Sequence, residues 1–184
     1  LSKDGNMYVG RNYEWSFEDD LTLVTSRSNG RYAHTGFSLL MFGRLDGMNE
    51  KGLVVTMAAG NPGPPPEHKP GLRFWVLIRA ILEQCATVAE AVELTTPFPL
   101  AFNLNMLVAD RNGKAVLIEK TPDVQALKYS DNTPLWSTNH FTLDGPRTPD
   151  TKIMRFSQVR YDLIKKTLSR DSISRIDIIK ILTS

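Results

Sequence analysis

Residues whose types could support chemistry begin near the N-terminus, in the stretch VGRNYEWSF at positions 9–17. Arg11 carries a fixed positive charge and Glu14, three positions later, carries a carboxylate. On an arbitrary surface strand these two would form an ordinary ion pair, and exposed pairs of this kind contribute little to stability. Three further elements favour a functional interpretation instead: GMNEKGL at 47–53, NLNMLVAD at 103–110 and STNHF at 137–141.

Asn139 lies in the last of these elements, between Thr138 and His140 and directly after an apolar run. A side-chain amide held at the end of a strand is neutral and can donate hydrogen bonds to negative charge that develops on a carbonyl oxygen. Asn139 is therefore a candidate donor for an oxyanion hole.

The single cysteine, Cys85, is a poor candidate for a nucleophile. Its spacing places it on one face of a predicted helix with four apolar residues: Phe74, Ile78, Ile81 and Leu82. A cysteine on such a face behaves as a small hydrophobic residue with a raised pKa. We predict a structural role for Cys85.

Neither the histidines nor the acidic residues show metal-ligand spacing. His34, His68 and His140 are far apart, and none belongs to an HExxH motif. The stretch DRNGK at 110–114 lacks the alternating acids of a calcium loop, so a hairpin turn explains it better. We expect no metal and no cofactor.

Composition excludes several other classes of protein. A chain of 184 residues suits one domain. Its net charge of +2 comes from scattered basic residues, and no nucleic-acid-binding motif accompanies them. No apolar run reaches membrane-spanning length. We expect neither nucleic acid nor a membrane as a partner, and a homo-oligomer is possible. One cysteine cannot form an internal disulfide, so we favour a reducing compartment, the cytoplasm.

The order of predicted elements indicates an α+β fold. Residues 36–59 are predicted to form a hairpin, and the proline-rich stretch 60–71 an exposed loop that borders a pocket. A helix follows, and Thr87 with Glu90 matches a capping box that starts a second helix. The stretch 104–120 predicts the clearest hairpin. A helix and one or two further amphipathic turns end the chain, a pattern unlike the alternation of a parallel sheet.

Taken together and in order, five segments resemble the choloylglycine hydrolase and penicillin acyltransferase (peptidase C45-like) group of N-terminal nucleophile hydrolases. They are GRNYEW, GMNEKGLVVT, RAILEQCATVAEAVEL, NLNMLVADRNGKAVLIEK and WSTNHF. The resemblance implies one domain over residues 1–184 with a four-layer αββα sandwich, in which two antiparallel sheets lie between two helical layers. It also implies a small-molecule amide or acyl substrate.

The resemblance further implies roles for individual residues. Members of the group are processed to expose an N-terminal cysteine, whose thiolate attacks an amide while its own α-amino group serves as the base. By this alignment the cysteine lies a few residues upstream of Leu1. Arg11 matches an arginine that lowers the pKa of the thiol, Glu14 stands where the group has an aspartate that anchors the α-amino group, and Asn139 matches the oxyanion asparagine. Arg11 and Glu14 are expected on a bent strand from which both reach that first residue.

Two departures from the group's pattern concern the site. Glu14 is one methylene longer than the aspartate, which shifts the carboxylate unless the backbone compensates. A second oxyanion asparagine is expected just after the GMNEKGL turn, where this chain has Met57, Ala58 and Ala59. Asn61 is the nearest amide and a weak substrate-binding candidate, and a backbone N–H is the other option. Both ends of the chain are expected to be incomplete relative to the group's fold.

The expected function is hydrolysis of, or acyl transfer from, a linear amide. One alternative is an amidase for fatty-acyl amides or bile-salt conjugates, with an apolar pocket near Phe17, Phe141 and the proline-rich loop. The other is a catalytically silent protein that uses the same scaffold to bind ligands or partners.

Overall fold

A computed structural model describes residues 6–14, 21–38, 41–60, 70–147, 153–170 and 173–183 of the chain. These residues form seven strands and four helices: β1 Thr22–Ser26, β2 His34–Ser38, β3 Gly47–Asn49, β4 Val54–Ala59, α1 Phe74–Gln84, α2 Val88–Thr95, β5 Leu104–Ala109, β6 Ala115–Lys120, β7 Gln125–Tyr129, α3 Arg155–Leu168 and α4 Arg175–Leu182. The strands form one antiparallel sheet in chain order, β1 to β7. The α+β class is confirmed.

The predicted hairpin over 104–120 is present as β5 and β6, which pair from Leu104 with Lys120 to Ala109 with Ala115. Asp110 closes its turn, because Oδ1 accepts hydrogen bonds from the backbone N–H groups of Asn112, at 2.9 Å, and Lys114, at 3.3 Å. The Asp110 carboxylate in DRNGK thus stabilises the hairpin turn.

The predicted hairpin over 36–59 is only partly correct, because the segment contains three strands. The short β3 lies between β2 and β4 and pairs with both. Gly36 permits this arrangement, since a Cβ at that position would collide with the backbone carbonyl of Asp46. The extra strand also brings Asp46 towards the site described below.

Helices α1 and α2 cover one face of the sheet and form the core with it. Apolar residues of α1, including Leu77, Ile78, Ile81 and Leu82, are fully buried against alternate residues of β4, β5 and β6. Full burial of such a side chain contributes about 1.5–3 kcal/mol. The predicted capping box is present, with Thr87 and Glu90 each bonded to the other's backbone N–H.

The opposite face of the sheet carries the alternate residues, among them Thr56, Asn105, Leu107 and Glu119. Segment 6–14, the segment after β7 and helices α3 and α4 surround a cleft over this face. The described residues form one sheet, so the expected second sheet is not seen among them. Segment 6–14 has no regular secondary structure, and the prediction of a bent strand there is wrong.

None of the helices in the described residues is long and apolar enough to cross a membrane.

Candidate active site

Arg11 is mostly buried and is held by β4 and by an acidic residue. Its Nε donates to the backbone carbonyl of Met57 at 3.3 Å, and Nη1 pairs with Asp46 Oδ2 at 3.1 Å. The guanidinium also lies 4.8 Å from the ring centroid of Tyr13. Burial lowers the pKa of Arg11, and the nearby Asp46 carboxylate opposes that shift. The arginine therefore keeps a fixed charge in a defined place.

Asn139 contacts the same strand two residues further on. Its Nδ2 donates to the backbone carbonyl of Ala59 at 3.3 Å. The strand rise of about 3.3 Å per residue puts the carbonyls of Met57 and Ala59 roughly 7 Å apart along β4. Among the described residues β3 pairs with β4 only at Val54 and Val55. This part of β4 thus brings the guanidinium of Arg11 and the carboxamide of Asn139 to one cleft.

Glu14 and Asn139 are joined by a residue that sequence analysis missed. Arg160, on α3, donates from Nη2 to Asn139 Oδ1 at 2.8 Å and from Nη1 to Glu14 Oε2 at 3.2 Å. Asn12 donates to the other carboxylate oxygen, Oε1, at 2.8 Å. Arg11 and Glu14 do not pair with each other, because each has its own long-range partner. Asp46 and Arg160 carry no motif in the sequence that could have revealed these contacts.

Two buried polar side chains on the sheet fix the backbone around Asn139. Asn105 Nδ2 donates to the carbonyls of Thr138, at 2.8 Å, and His140, at 2.9 Å. Its cross-strand neighbour Glu119 accepts hydrogen bonds, each 2.7–2.8 Å long, from the backbone N–H groups and the hydroxyl of the next residues, Thr142 and Leu143. Both side chains are fully buried, so the sheet itself positions this segment.

A third set of contacts joins the Asn139 segment to α3. His140 Nδ1 lies 2.7 Å from Ser157 Oγ and 3.1 Å from Thr138 Oγ1, and all three residues are buried. The His140 ring packs on Tyr161 at 5.2 Å between centroids. Burial, and secondarily the charge of Arg147, lowers the pKa of His140. The neutral imidazole is therefore a structural element here and helps to place α3 beside Asn139.

The other residues considered from the sequence lie elsewhere, and Cys85 has the predicted structural position. Cys85 is 1% exposed just after α1, and burial raises the pKa of its thiol to about 12, with a smaller contribution from the charge of Glu90. Phe141 is buried against Gly60 and does not line the cleft, which corrects its predicted place in the pocket. Asn61 and Phe17 lie outside the described residues. Among the described residues no group of three or more potential metal-ligating His, Cys, Asp or Glu side chains occurs.

The cleft has a volume of about 960 Å³ and is lined by Arg11, Glu14, Asn139 and Arg160 together with a large apolar surface. That surface includes Met7, Trp75, Phe102, Trp136, Leu163 and Leu182. The polar groups offer a fixed cation, a carboxylate and an amide donor, and the apolar surface offers room for a large hydrophobic group.

Solved structures with the same architecture define the class of this fold. An N-acylethanolamine-hydrolyzing acid amidase ortholog from Caenorhabditis elegans is 17% identical, with a TM-score of 0.65 over 95% of this chain and 79% of that one. A conjugated bile acid hydrolase from Clostridium perfringens, solved as an arginine variant, is 18% identical, with a TM-score of 0.56 over 92% and 72%. The chain has the fold of the N-terminal nucleophile hydrolases.

Within that class, the acyl-coenzyme A:6-aminopenicillanic acid acyl-transferase family matches residues 1–183, and the chain belongs to this family. A penicillin V acylase from Agrobacterium tumefaciens is 27% identical over 53% of the chain, with a TM-score of 0.44. The chain spans 33% of the length of that acylase. No curated protein matches the chain in sequence. The resemblance deduced from the five segments, GRNYEW to WSTNHF, is confirmed.

Proposed function

We propose that the protein is a cysteine N-terminal nucleophile enzyme that hydrolyses, or transfers the acyl group from, linear C–N amides or related acyl donors. The observation that carries this proposal is the docking of Arg11 and Asn139 onto carbonyls two residues apart on β4, at one cleft. A cation and an amide donor in one cleft suit a thiolate and the oxyanion that it creates.

The nucleophile is proposed to lie upstream of Leu1. Cys85, the one thiol in the chain, is buried, and its high pKa keeps it protonated. A thiolate ahead of residue 1 would attack the amide carbon and form an S–C bond. Asn139 still has one carboxamide N–H beyond the one given to Ala59, and that N–H would bind the oxyanion.

The α-amino group of the same cysteine completes the proposed reaction. It takes the thiol proton and gives it to the leaving amine as the C–N bond breaks. Water or another amine then attacks the thioester, releases the acid or new amide and restores the thiol. Glu14, close to Arg11 in sequence, would hold the ammonium form of the α-amino group.

The cleft favours an amide with a large apolar acyl group. Its aromatic and aliphatic lining would bury such a group next to the polar end. Two structural neighbours, an N-acylethanolamine-hydrolyzing amidase and a conjugated bile acid hydrolase, have names that agree with this substrate class. The alternative of an apolar-acyl amidase is therefore the preferred form of the proposal, with the pocket beside α3 and α4 rather than at Phe141.

The complete enzyme is proposed to have the four-layer architecture of its class, with the described sheet as one of two and residues 1–184 within a single domain. The exposed apolar residues Leu23, Phe37 and Met48 lie on the site-bearing face of β1, β2 and β3. They would be covered by the second sheet. Because residues 1–184 contain a single cysteine, we place the enzyme in a reducing compartment such as the cytoplasm.

A labelling experiment on the full-length protein, expressed from its natural start, tests this function. Stoichiometric iodoacetamide should abolish hydrolysis of N-acyl amides with long apolar acyl groups, and peptide mapping should place the label on an N-terminal cysteine. The Cys85→Ala variant is the control and should be inactivated at the same rate. Loss of activity through a label on Cys85, or a full-length chain with no other cysteine, would refute the proposal.

One observation supports the second candidate, a silent binding protein. Both carboxylate oxygens of Glu14 are already engaged, by Asn12 and Arg160. If these contacts persist in the mature protein, Asn12 and Arg160 compete with an α-amino group for the Glu14 carboxylate. N-acyl amides would then raise the melting temperature of the full-length protein without being cleaved.

A further inference from the structure

We propose that Arg160 is a positioning residue that sets the direction of the Asn139 carboxamide, an inference that rests on the proposed function. The two ends of a carboxamide, C=O and NH2, have nearly the same shape, so packing alone does not decide which end faces a substrate. A hydrogen-bond donor fixed on the oxygen does decide it. Arg160 supplies that donor, at 2.8 Å from Asn139 Oδ1.

All three nitrogens of the Arg160 guanidinium are engaged, which defines its orientation. Nε donates to the carbonyl of Phe156 on the same helix at 3.3 Å, Nη1 binds Glu14 and Nη2 binds Asn139. A planar guanidinium held at three points cannot rotate away from Asn139 without breaking two further contacts.

The helix that carries Arg160 is itself tied to the Asn139 segment. Ser157, three residues before Arg160, is fully buried and bonds to Thr138 Oγ1 at 3.0 Å and to His140 Nδ1 at 2.7 Å. These residues flank Asn139 on both sides. The backbone that carries Asn139 and the helix that carries Arg160 therefore keep a fixed relation.

With Oδ1 bound to Arg160, Nδ2 must face β4 and the cleft. One of its N–H groups binds the carbonyl of Ala59, and the other is available to a developing oxyanion. Without Arg160, only the 3.3 Å bond to the carbonyl of Ala59 would oppose a rotation of the amide, and the rotated amide would present Oδ1, an acceptor that repels the oxyanion. Arg160 thus acts through Asn139, and its loss should affect kcat more than KM.

A double-mutant cycle tests this coupling in the full-length enzyme. Arg160→Met should lower kcat about 10-fold to 100-fold, with KM changed by less than about threefold. In the Asn139→Ala background the same substitution should lower kcat by a much smaller factor, because only the contact of Arg160 with Glu14 is then left to lose. Arg155→Met, which removes an exposed arginine from the same helix, is the matched control and should leave kcat unchanged. Equal effects of Arg160→Met in both backgrounds would refute the inference.

A second readout does not require activity. The two side-chain N–H signals of Asn139 in a 15N-correlated spectrum, identified by their absence in Asn139→Ala, should shift in Arg160→Met and stay in place in Arg155→Met. Unmoved signals in Arg160→Met would overturn the positioning role even if the enzyme hydrolyses amides. Shifted signals in a protein that cleaves no amide would leave the positioning contact intact and refute only the proposed function.

The Arg160→Lys variant separates the effect of the positive charge from the effect of the directed hydrogen bonds. Lysine keeps the charge but cannot donate along two fixed directions, so it should restore less than about a tenth of the lost kcat. Full recovery with lysine would show that charge alone is sufficient and would overturn the proposed orienting contact.

Discussion

The two faces of the sheet are held by different kinds of interaction. On the face covered by α1 and α2, the contacts are made by apolar side chains that alternate along the strands and recur along the helix. On the opposite face, the segment that carries Asn139 is held by single polar side chains, Asn105 and Glu119, which bind backbone groups. The first face is a continuous core, whereas the second depends on a few hydrogen bonds with no substitutes.

Asn49, in the GMNEKGL motif, shows what an asparagine does on the packed side. Its Nδ2 donates to the carbonyls of Leu82 and Cys85, and its Oδ1 accepts from the backbone N–H groups of Lys51 and Leu53. All of its hydrogen-bonding capacity joins the β3–β4 turn to the end of α1. An asparagine committed in this way is structural, while one with an N–H left over, as at position 139, can serve chemistry.

The largest effect, on kcat, is expected from Asn139, the proposed oxyanion donor. Asn139→Ala should lower kcat about 100-fold to 1,000-fold, as the loss of an oxyanion donor does, while KM and the free energy of unfolding change little. Steady-state kinetics on the full-length enzyme measure this. Asn103→Ala, outside the cleft, is the control. A parallel loss in kcat and binding would show that Asn139 acts in the ground state instead.

A smaller but still large effect is expected from Glu119, the buried carboxylate that binds the backbone of Thr142 and Leu143. Glu119→Gln replaces an acceptor-only carboxylate with an amide whose NH2 group faces backbone donors. We expect the free energy of unfolding to fall by about 2–3 kcal/mol in urea titrations with an unchanged m-value. The exposed Glu93 on α2, changed to Gln, should shift it by less than about 0.5 kcal/mol. Equal shifts in the two variants would show that the contacts of Glu119 add nothing to the free energy of unfolding.

Substitutions on the face covered by α1 and α2 should change the stability of the protein and leave its turnover unchanged. Cys85→Ala leaves a small cavity in a core that cannot collapse fully, and it should cost about 1 kcal/mol with no loss of turnover. Cys85→Ser should cost more, because it buries a hydroxyl in apolar surroundings. Unfolding curves and kinetics on both variants give the comparison. A well-folded Cys85→Ala protein without activity would reverse our assignment of this thiol.

The smallest effect concerns pH. Burial lowers the pKa values of His34 and His140, so in the unfolded chain both bind protons more readily than in the folded protein. Stability is therefore full above the unfolded value of about 6.5 and declines as pH falls below it. Melting temperatures at about pH 7.5 and pH 5.5, at constant ionic strength, should show this decline. A rise in melting temperature at the lower pH would mean that the protonated histidines gain partners.

The spacing of apolar residues and one capping motif were sufficient to predict much of the sheet face covered by α1 and α2. The spacing of Ile78, Ile81 and Leu82 predicted the buried side of α1, and Thr87 with Glu90 predicted the start of α2. The short strand β3 was missed, because three residues carry too little periodicity to separate a strand from a turn. The irregular course of segment 6–14 was also missed, since its apolar and polar residues suggested a strand.

The sequence by itself determined the class of the fold, the family and the structural role of Cys85, because these follow from the spacing of apolar residues and from ordered motifs. Only the tertiary structure decided that Arg11 pairs with Asp46, 35 residues away, and Glu14 with Arg160, 146 residues away. Burial leaves a periodic trace along the chain, whereas a hydrogen bond between distant side chains needs only one residue at each end. Such pairs become visible when folding brings their backbones together.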